Sequence, residues 1–186
     1  TALYIEPCGQ GWESARVTLF ADGSVRVASG SSAQGQGHET SYAAIAAQAL
    51  GVAPERIEVA HGDTATCPEG IGALASRSMA IGGSAVLLAA QEAARRRDAG
   101  EALPLTAEHI YTAPAEAWSY GCVIARLRID RDTGQPTVER VVWADDAGHI
   151  VSPQLAQGQL LGGMAQGIGQ ALLERLVYDE EGQLVT

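Results

Sequence analysis

The sequence contains no lysine: its 12 basic residues are all arginine, set against 22 acidic residues. That absence excludes an imine-forming lysine and a phosphate-binding lysine, and the G-x-x-x-x-G-K-[ST] nucleotide loop is missing with it. A formal net charge of −10 speaks against nucleic acid and anionic lipid as partners, because both repel an acidic chain. Cysteine is scarce. Cys8, Cys67 and Cys122 are odd in number and widely spaced, with no C-x-x-C pair. This argues against a disulfide framework or a thiolate zinc site and fits a reducing compartment. No stretch approaches the roughly 20 apolar residues of a membrane span, and no secretory leader is visible from Thr1 onward. The expected location is the cytoplasm, with the periplasm left open. No serine lies in G-x-S-x-G, and no nucleophile has an evident base partner.

What remains is an ordinary globular composition, 46% hydrophobic and 18% charged, long enough at 186 residues for one core or two small lobes. Residues 14–20 and 24–29 alternate like half-buried strands around the turn Ala21-Asp22-Gly23. A Gly/Gln-rich loop follows, then an alanine-rich helix over 42–50 closed by Gly51, then a strand over 56–60. The second half repeats this order. Strands over 122–129 and 137–143 precede the polar turn Asp145-Asp146-Ala147-Gly148, a helix over 154–176 and a last hairpin at 178–182. Between the halves, residues 76–97 read as helical, weakened at Gly82 and Gly83. The run Arg95-Arg96-Arg97-Asp98 and the following Leu103-Pro104-Leu105 mark a linker. The expected class is α+β, in two related lobes of mixed or antiparallel sheet with packed helices. The first lobe is expected at 1–97, a short linker at 98–105 and the second lobe at 106–186.

Three glycine-rich segments carry the chemical signal. In Gln34-Gly35-Gln36-Gly37-His38-Glu39-Thr40, a glycine loop sits before a helix whose first amides lack internal partners. Such a terminus suits a phosphate or a metal-oxo group, and the two glutamine amides suit the edge of a heterocycle. Read alone, the segment is equally a solvated glycine turn. Ala73-Leu74-Ala75-Ser76-Arg77-Ser78 offers two hydroxyls and a guanidinium before a helix, either as a second anion cradle or as a cap from Ser76 or Ser78. Gly158-Gln159 through Gly169-Gln170 holds too many glycines for an isolated helix, which implies close packing or contact with a cofactor. His61-Gly62-Asp63 with Cys67 matches no standard metal-ligand spacing.

In this order, the three segments resemble the molybdenum-binding subunit of the xanthine dehydrogenase, aldehyde oxidase and carbon monoxide dehydrogenase family over nearly the whole chain. Ile5-Glu6-Pro7-Cys8-Gly9 with Trp12-Glu13-Ser14-Ala15 resembles the opening of that region. The Gln-Gly-Gln-Gly-His-Glu-Thr form is typical of the bacterial carbon monoxide dehydrogenase-like members. The resemblance implies molybdopterin, or molybdopterin cytosine dinucleotide, with molybdenum held by the pterin dithiolene and by no protein ligand. It implies that Gln34, Gly35, Gln36 and Gly37 contact the metal-oxo region and pterin. Ala73, Ala75 and Ser76 would meet the pterin or its phosphate, and Gln159 the pterin edge. Family members often carry threonine near Ala73.

The resemblance also implies what is missing. The family's catalytic glutamate lies beyond Thr186, so no catalytic residue is assigned, and neither Glu39 nor Glu174 matches its motif. Residues 95–105 are shorter than the family's connection. Expected partners are the remainder of the large subunit and iron–sulfur and FAD subunits or domains. The isolated chain is expected to be inactive and able to exist without the cofactor, and surfaces that contact the missing parts are expected to favour self-association. The competing expectations are a non-catalytic scaffold domain that keeps the fold with an empty pocket, and a nucleotide-phosphate module.

Overall fold

The computed structural model describes residues 1–185, in two compact units, Thr1–Val151 and Ser152–Thr186. The first unit holds the expected hairpin. Strands β2 (Trp12–Leu19) and β3 (Val25–Ser29) run antiparallel, with Leu19 facing Val25 across the turn. Helix α1 (His38–Leu50) ends on left-handed Gly51, whose amide returns to the Ala47 carbonyl. Strand β4 (Ile57–Ala60) then lies parallel to β3.

Helix α2 (Gly83–Asp98) is preceded by a π-helical turn at Ser78–Gly82. The glycines at its start permit close approach: a Cβ on Gly82 would stand 2.5 Å from the Tyr42 hydroxyl, and one on Gly83 would stand 3.1 Å from both Ile45 and Met79. The arginine run expected in the linker forms the last turn of this helix, where Arg97 donates to the Leu50 carbonyl at 2.8 Å. Basic side chains there also complement the helix dipole.

Strand pairing crosses the 98–105 segment. β5 (Leu105–Thr112) returns to pair antiparallel with β2, giving a mixed sheet of order β4-β3-β2-β5. β1 (Ala2–Cys8) pairs with β6 (Ala117–Ile129), which pairs with β7 (Pro136–Asp146), giving a separate antiparallel sheet. The α+β class is as expected from the alternation of elements.

The core lies on the mixed sheet. Alternate residues Ala15, Val17 and Leu19 of β2, with Val25 and Val27 of β3, face Tyr42, Ala46 and Leu50 of α1 and Ala85, Ala89 and Ala93 of α2. Burying each valine or leucine contributes about 1.5–3 kcal/mol. Alanines at every fourth position let α2 lie close to the sheet. Among the described residues, the antiparallel sheet supplies no buried core residue, and Leu3, Ile5, Trp118 and Ile124 stand exposed on it.

The second unit contains α3 (Pro153–Leu172), capped by the Ser152 hydroxyl, which accepts from the Leu155 amide at 3.4 Å, with proline in the first turn. Its closing segment pairs Tyr178 with Leu184.

Candidate functional site

The loop at 31–37 delivers the chain into α1 through two left-handed glycines. Gly35 has φ 103° and Gly37 has φ 78°. Gly37 caps the helix without any side-chain bond, so the amides of His38 and Thr40 keep their orphan character, while that of Glu39 faces its own carboxylate. A Cβ on Gly35 would meet nothing within 4 Å, so the main chain there is open to a ligand. The Gln34 amide donates to Gln36 Oε1 at 2.5 Å, which fixes that side chain's oxygen and leaves its NH2 free to donate outward.

His38 is buried under this loop. Its Nδ1–H donates to the Ser31 carbonyl at 3.2 Å, and its ring stacks on Tyr42 with centroids 4.8 Å apart. Nε2 is buried without a partner. Burial holds the imidazole below its ordinary pKa, so it is neutral near pH 7. His61 has its tautomer set by its neighbours: Nδ1 accepts from the Ala33 amide at 3.4 Å and Nε2–H donates to Glu39 Oε1 at 2.8 Å. The Glu39 carboxyl titrates below its usual range, first because of its own backbone amide and then because of His61. His61, Asp63 and Cys67 do not converge. Asp63 instead accepts from the Ala65 amide at 2.9 Å and the Thr66 hydroxyl at 3.0 Å.

The second segment departs from its sequence reading. Arg77 does not form an anion cradle, because it is only 1% exposed and points inward. Its Nη1 donates to Glu13 Oε2 and to the Gly72 carbonyl, both at 2.8 Å, and Nε donates to the Gln10 carbonyl at 3.4 Å. Nη2 donates to the Trp12 carbonyl. Neither Ser76 nor Ser78 caps the following helix; the Ser76 hydroxyl donates instead to Glu6 Oε1 at 3.3 Å. Ala75 and Ser76 both take positive φ, 48° and 53°. Sequence reasoning missed the buried Glu13–Arg77 pair. The available signal was a glutamate near the start of β2, in phase with the apolar positions Ala15, Val17 and Leu19.

These two segments meet. The Ser31 and Ser78 hydroxyls lie 3.0 Å apart, and the Tyr42 hydroxyl donates to the Ser78 carbonyl at 3.0 Å. The structure therefore places Gln34, Gly35, Gln36 and Gly37 on one side of this junction, and Ala73, Ala75 and Ser76 on the loop leading to the other. Gln159 belongs to the second unit, on α3. Within that unit, a Cβ on Gly158, Gly162 or Gly167 would meet nothing within 4 Å, so helix packing in the unit does not account for those glycines. Asp146 serves its turn, accepting from the Gly148 amide at 2.9 Å and the Tyr120 hydroxyl at 2.8 Å.

The donors around the junction are neutral: orphan helix amides, glutamine NH2 groups and hydroxyls. Such a set fits a polyanionic phosphate and a hydrogen-bonding heterocycle without burying an unpaired cation. Open space beside Gly35 fits close approach of that group to the main chain.

Comparison with known proteins gives matches over the same span. A family model described as a molybdopterin cofactor-binding domain matches residues 1–102 and 94–186. The gamma subunit of the 6-hydroxypseudooxynicotine dehydrogenase complex of Paenarthrobacter nicotinovorans is 31% identical over 94% of this chain and 28% of its own length. The carbon monoxide dehydrogenase large chain of Hydrogenophaga pseudoflava is 29% identical over 94% of this chain and 27% of its own. Among solved structures, the Cu,Mo-CO dehydrogenase in its carbon monoxide reduced state superposes with a TM-score of 0.92 at 25% identity, covering 99% of this chain and 30% of that one. Quinoline 2-oxidoreductase from Pseudomonas putida 86 gives 0.90 at 27% identity, covering 99% and 31%. The chain thus spans less than a third of these relatives. The first alignment runs over 221 positions, more than the 186 residues present, so that relative carries internal residues this chain lacks.

Proposed function

We propose a role from the fact that this chain belongs to the molybdopterin cofactor-binding domain family: it forms part of the pocket that holds molybdenum-molybdopterin in the large subunit of a molybdenum hydroxylase. The observation that carries this reading is the junction of the two loops at Ser31, Tyr42 and Ser78, with the open α1 terminus beside it. Gln34 and Gln36 donate amide hydrogens, and the main chain from Gly35 to Thr40 binds the anionic end of the group. Ala73, Ala75 and Ser76 line it from the second loop; the assignment of Gln159 to the pterin edge rests on the sequence resemblance. When bound, the molybdenum centre supplies two-electron oxidation with oxygen transfer to carbon; the residues present here bind and orient it.

The dinucleotide form, molybdopterin cytosine dinucleotide, is the cofactor we assign. In the intact protein the reaction is hydroxylation of an aldehyde, an N-heterocycle or a similar carbon, or oxidation of carbon monoxide. Electrons leave through iron–sulfur and FAD partners, and the remainder of the large subunit supplies the catalytic base. We therefore expect no turnover from the isolated chain. The shortened connection is placed at 98–105, between sequence lobes 1–97 and 106–186 that exchange β1 and β5. The two stretches matched by the family model meet at 94–102, which supports that placement.

The test is elemental. Full-length protein from its native host is assayed for molybdenum and for CMP released by acid hydrolysis. Stoichiometric metal with CMP is expected, and the double substitution Gln34→Ala, Gln36→Ala is expected to lower both without lowering the melting temperature. Metal-free wild type from a host that makes the cofactor overturns the reading. It would favour the scaffold alternative, for which alanine in place of the family's usual threonine near position 73 is the supporting observation.

A further inference from the structure

The turn that carries Ala75 and Ser76 is in a conformation its sequence does not favour. The Arg77 amide donates to the Leu74 carbonyl at 3.3 Å, and both central residues have positive φ, 48° and 53°. That pattern is a type I′ turn, which ordinarily demands asparagine or glycine. Alanine and serine there are strained, and strain of this kind persists only where surrounding contacts over-determine it.

Those contacts converge on one oxygen. Glu13 Oε2 accepts from the Gly72 amide at 3.1 Å, before the turn, and from Arg77 Nη1 at 2.8 Å, at its end. Arg77 directs three more of its hydrogens to the carbonyls of Gly72, Gln10 and Trp12. Glu13 and Arg77 are 0% and 1% exposed, whereas Leu74, Ala75 and Ser76 are exposed and pack into no core. The other carboxylate oxygen, Glu13 Oε1, lies 2.7 Å from where a Cβ on Gly30 would stand, so the same side chain abuts the start of the first loop. A buried ion pair is weak evidence for stability, since apolar residues of equal volume often serve as well. Hydrogen bonds made to loop backbone are another matter.

We propose that Glu13 and Arg77 form a clamp that holds the turn at residues 74–77 in its left-handed form, and so sets the second cofactor loop against the first for the pterin cofactor. Both are positioning residues. The inference rests on the cofactor reading above, and its test separates the two.

Full-length protein is prepared as wild type and Arg77→Lys. Lysine keeps the charge but cannot reach the carboxylate and the carbonyls together. Molybdenum retained per folded subunit is expected to fall by about tenfold or more in Arg77→Lys, which corresponds to about 1.4 kcal/mol of lost cofactor affinity. Hydrogen exchange is expected to quicken at residues 72–77 and 30–37, with the β2–β3 amides unchanged. A purely stabilising pair would lower the melting temperature without changing molybdenum per folded subunit, and that result overturns the proposal. So does unchanged hydrogen exchange at residues 72–77 in Arg77→Lys. If Arg77→Lys does not fold, Glu13→Gln, which keeps shape and acceptor, replaces it with the same expected direction. Wild type without molybdenum overturns the cofactor reading and the clamp's purpose together, while faster exchange in Arg77→Lys then marks the clamp as a backbone device only.

Discussion

Gly70→Ala is expected to cost far more than its single methyl group suggests. Gly70 lies outside the left-handed region, so the substitution carries no conformational penalty. Its Cβ would fall within the van der Waals envelope of Glu13 Oε1 and 2.8 Å from Gly30 Cα. The carboxylate cannot swing aside, because Oε2 is held by Arg77 Nη1 at 2.8 Å and by the Gly72 amide at 3.1 Å. If the site yields only by repacking, overpacking costs about 1–3 kcal/mol. Displacing Glu13 breaks a buried charge pair, which costs about 3–5 kcal/mol. With glycine backbone on both sides there is no room for the milder outcome, so about 3–5 kcal/mol is predicted. For a slope near 2 kcal/mol per M, the urea midpoint should drop by about 1.5–2.5 M. Urea unfolding of the chain followed by far-ultraviolet circular dichroism measures this, in the natural background and with Glu13→Ala. In the second background the clash with the carboxylate is gone and only the 2.8 Å approach to Gly30 Cα remains, so the increment should shrink to the overpacking range of about 1–3 kcal/mol. A cost under about 1 kcal/mol in the natural background, or an unchanged increment in the Glu13→Ala background, would refute the reasoning.

Two further outcomes follow from single residues. His38 is neutral in the fold because burial depresses its pKa, so the unfolded chain binds the extra proton. Its contribution is complete above about pH 6.5 and is lost as pH falls below that value, at up to about 1.4 kcal/mol per pH unit. His38→Gln should therefore flatten the fall in melting temperature between about pH 7 and pH 5.5, and an unchanged slope would count against a buried neutral imidazole. Ser152→Ala removes the cap of α3, whose bond to Leu155 is long at 3.4 Å. A loss of about 0.5–1 kcal/mol, at the low end for caps, is expected, seen as faster hydrogen exchange confined to the first turn of that helix.

The sequence was most informative where local chemistry decides structure. The turn at Ala21–Gly23, the closure of α1 at Gly51, and the strands flanking Arg131–Gln135 could all be read because glycine, aspartate and alternation act over a few residues. β1 and β5 escaped that reading. Their strand character comes from partners distant in the chain, Trp118 against Pro7 and Leu105 against Leu19. The arginine run looked like a linker because charge clusters suit loops, yet it has helix C-terminal chemistry. At the site, the glycine loop before α1 was legible as a ligand terminus. The inward turn of Arg77 was not, because only the fold brings Glu13, Gly30 and Gly70 to the same carboxylate.

The pairing of β1 with β6 has a consequence in time. β1 ends at Cys8, and its partner begins at Ala117. At translation rates of about 5–20 residues per second, the ribosome needs roughly 5–20 s to deliver the partner after β1 has been made. Throughout that interval Leu3 and Ile5 ride on a nascent chain without β6 beside them. The hairpin of β2 and β3, complete within the first 29 residues, needs no such wait. Synthesis order therefore favours early formation of the loop before α1, while the sheet that receives β1 closes only late in translation of this segment.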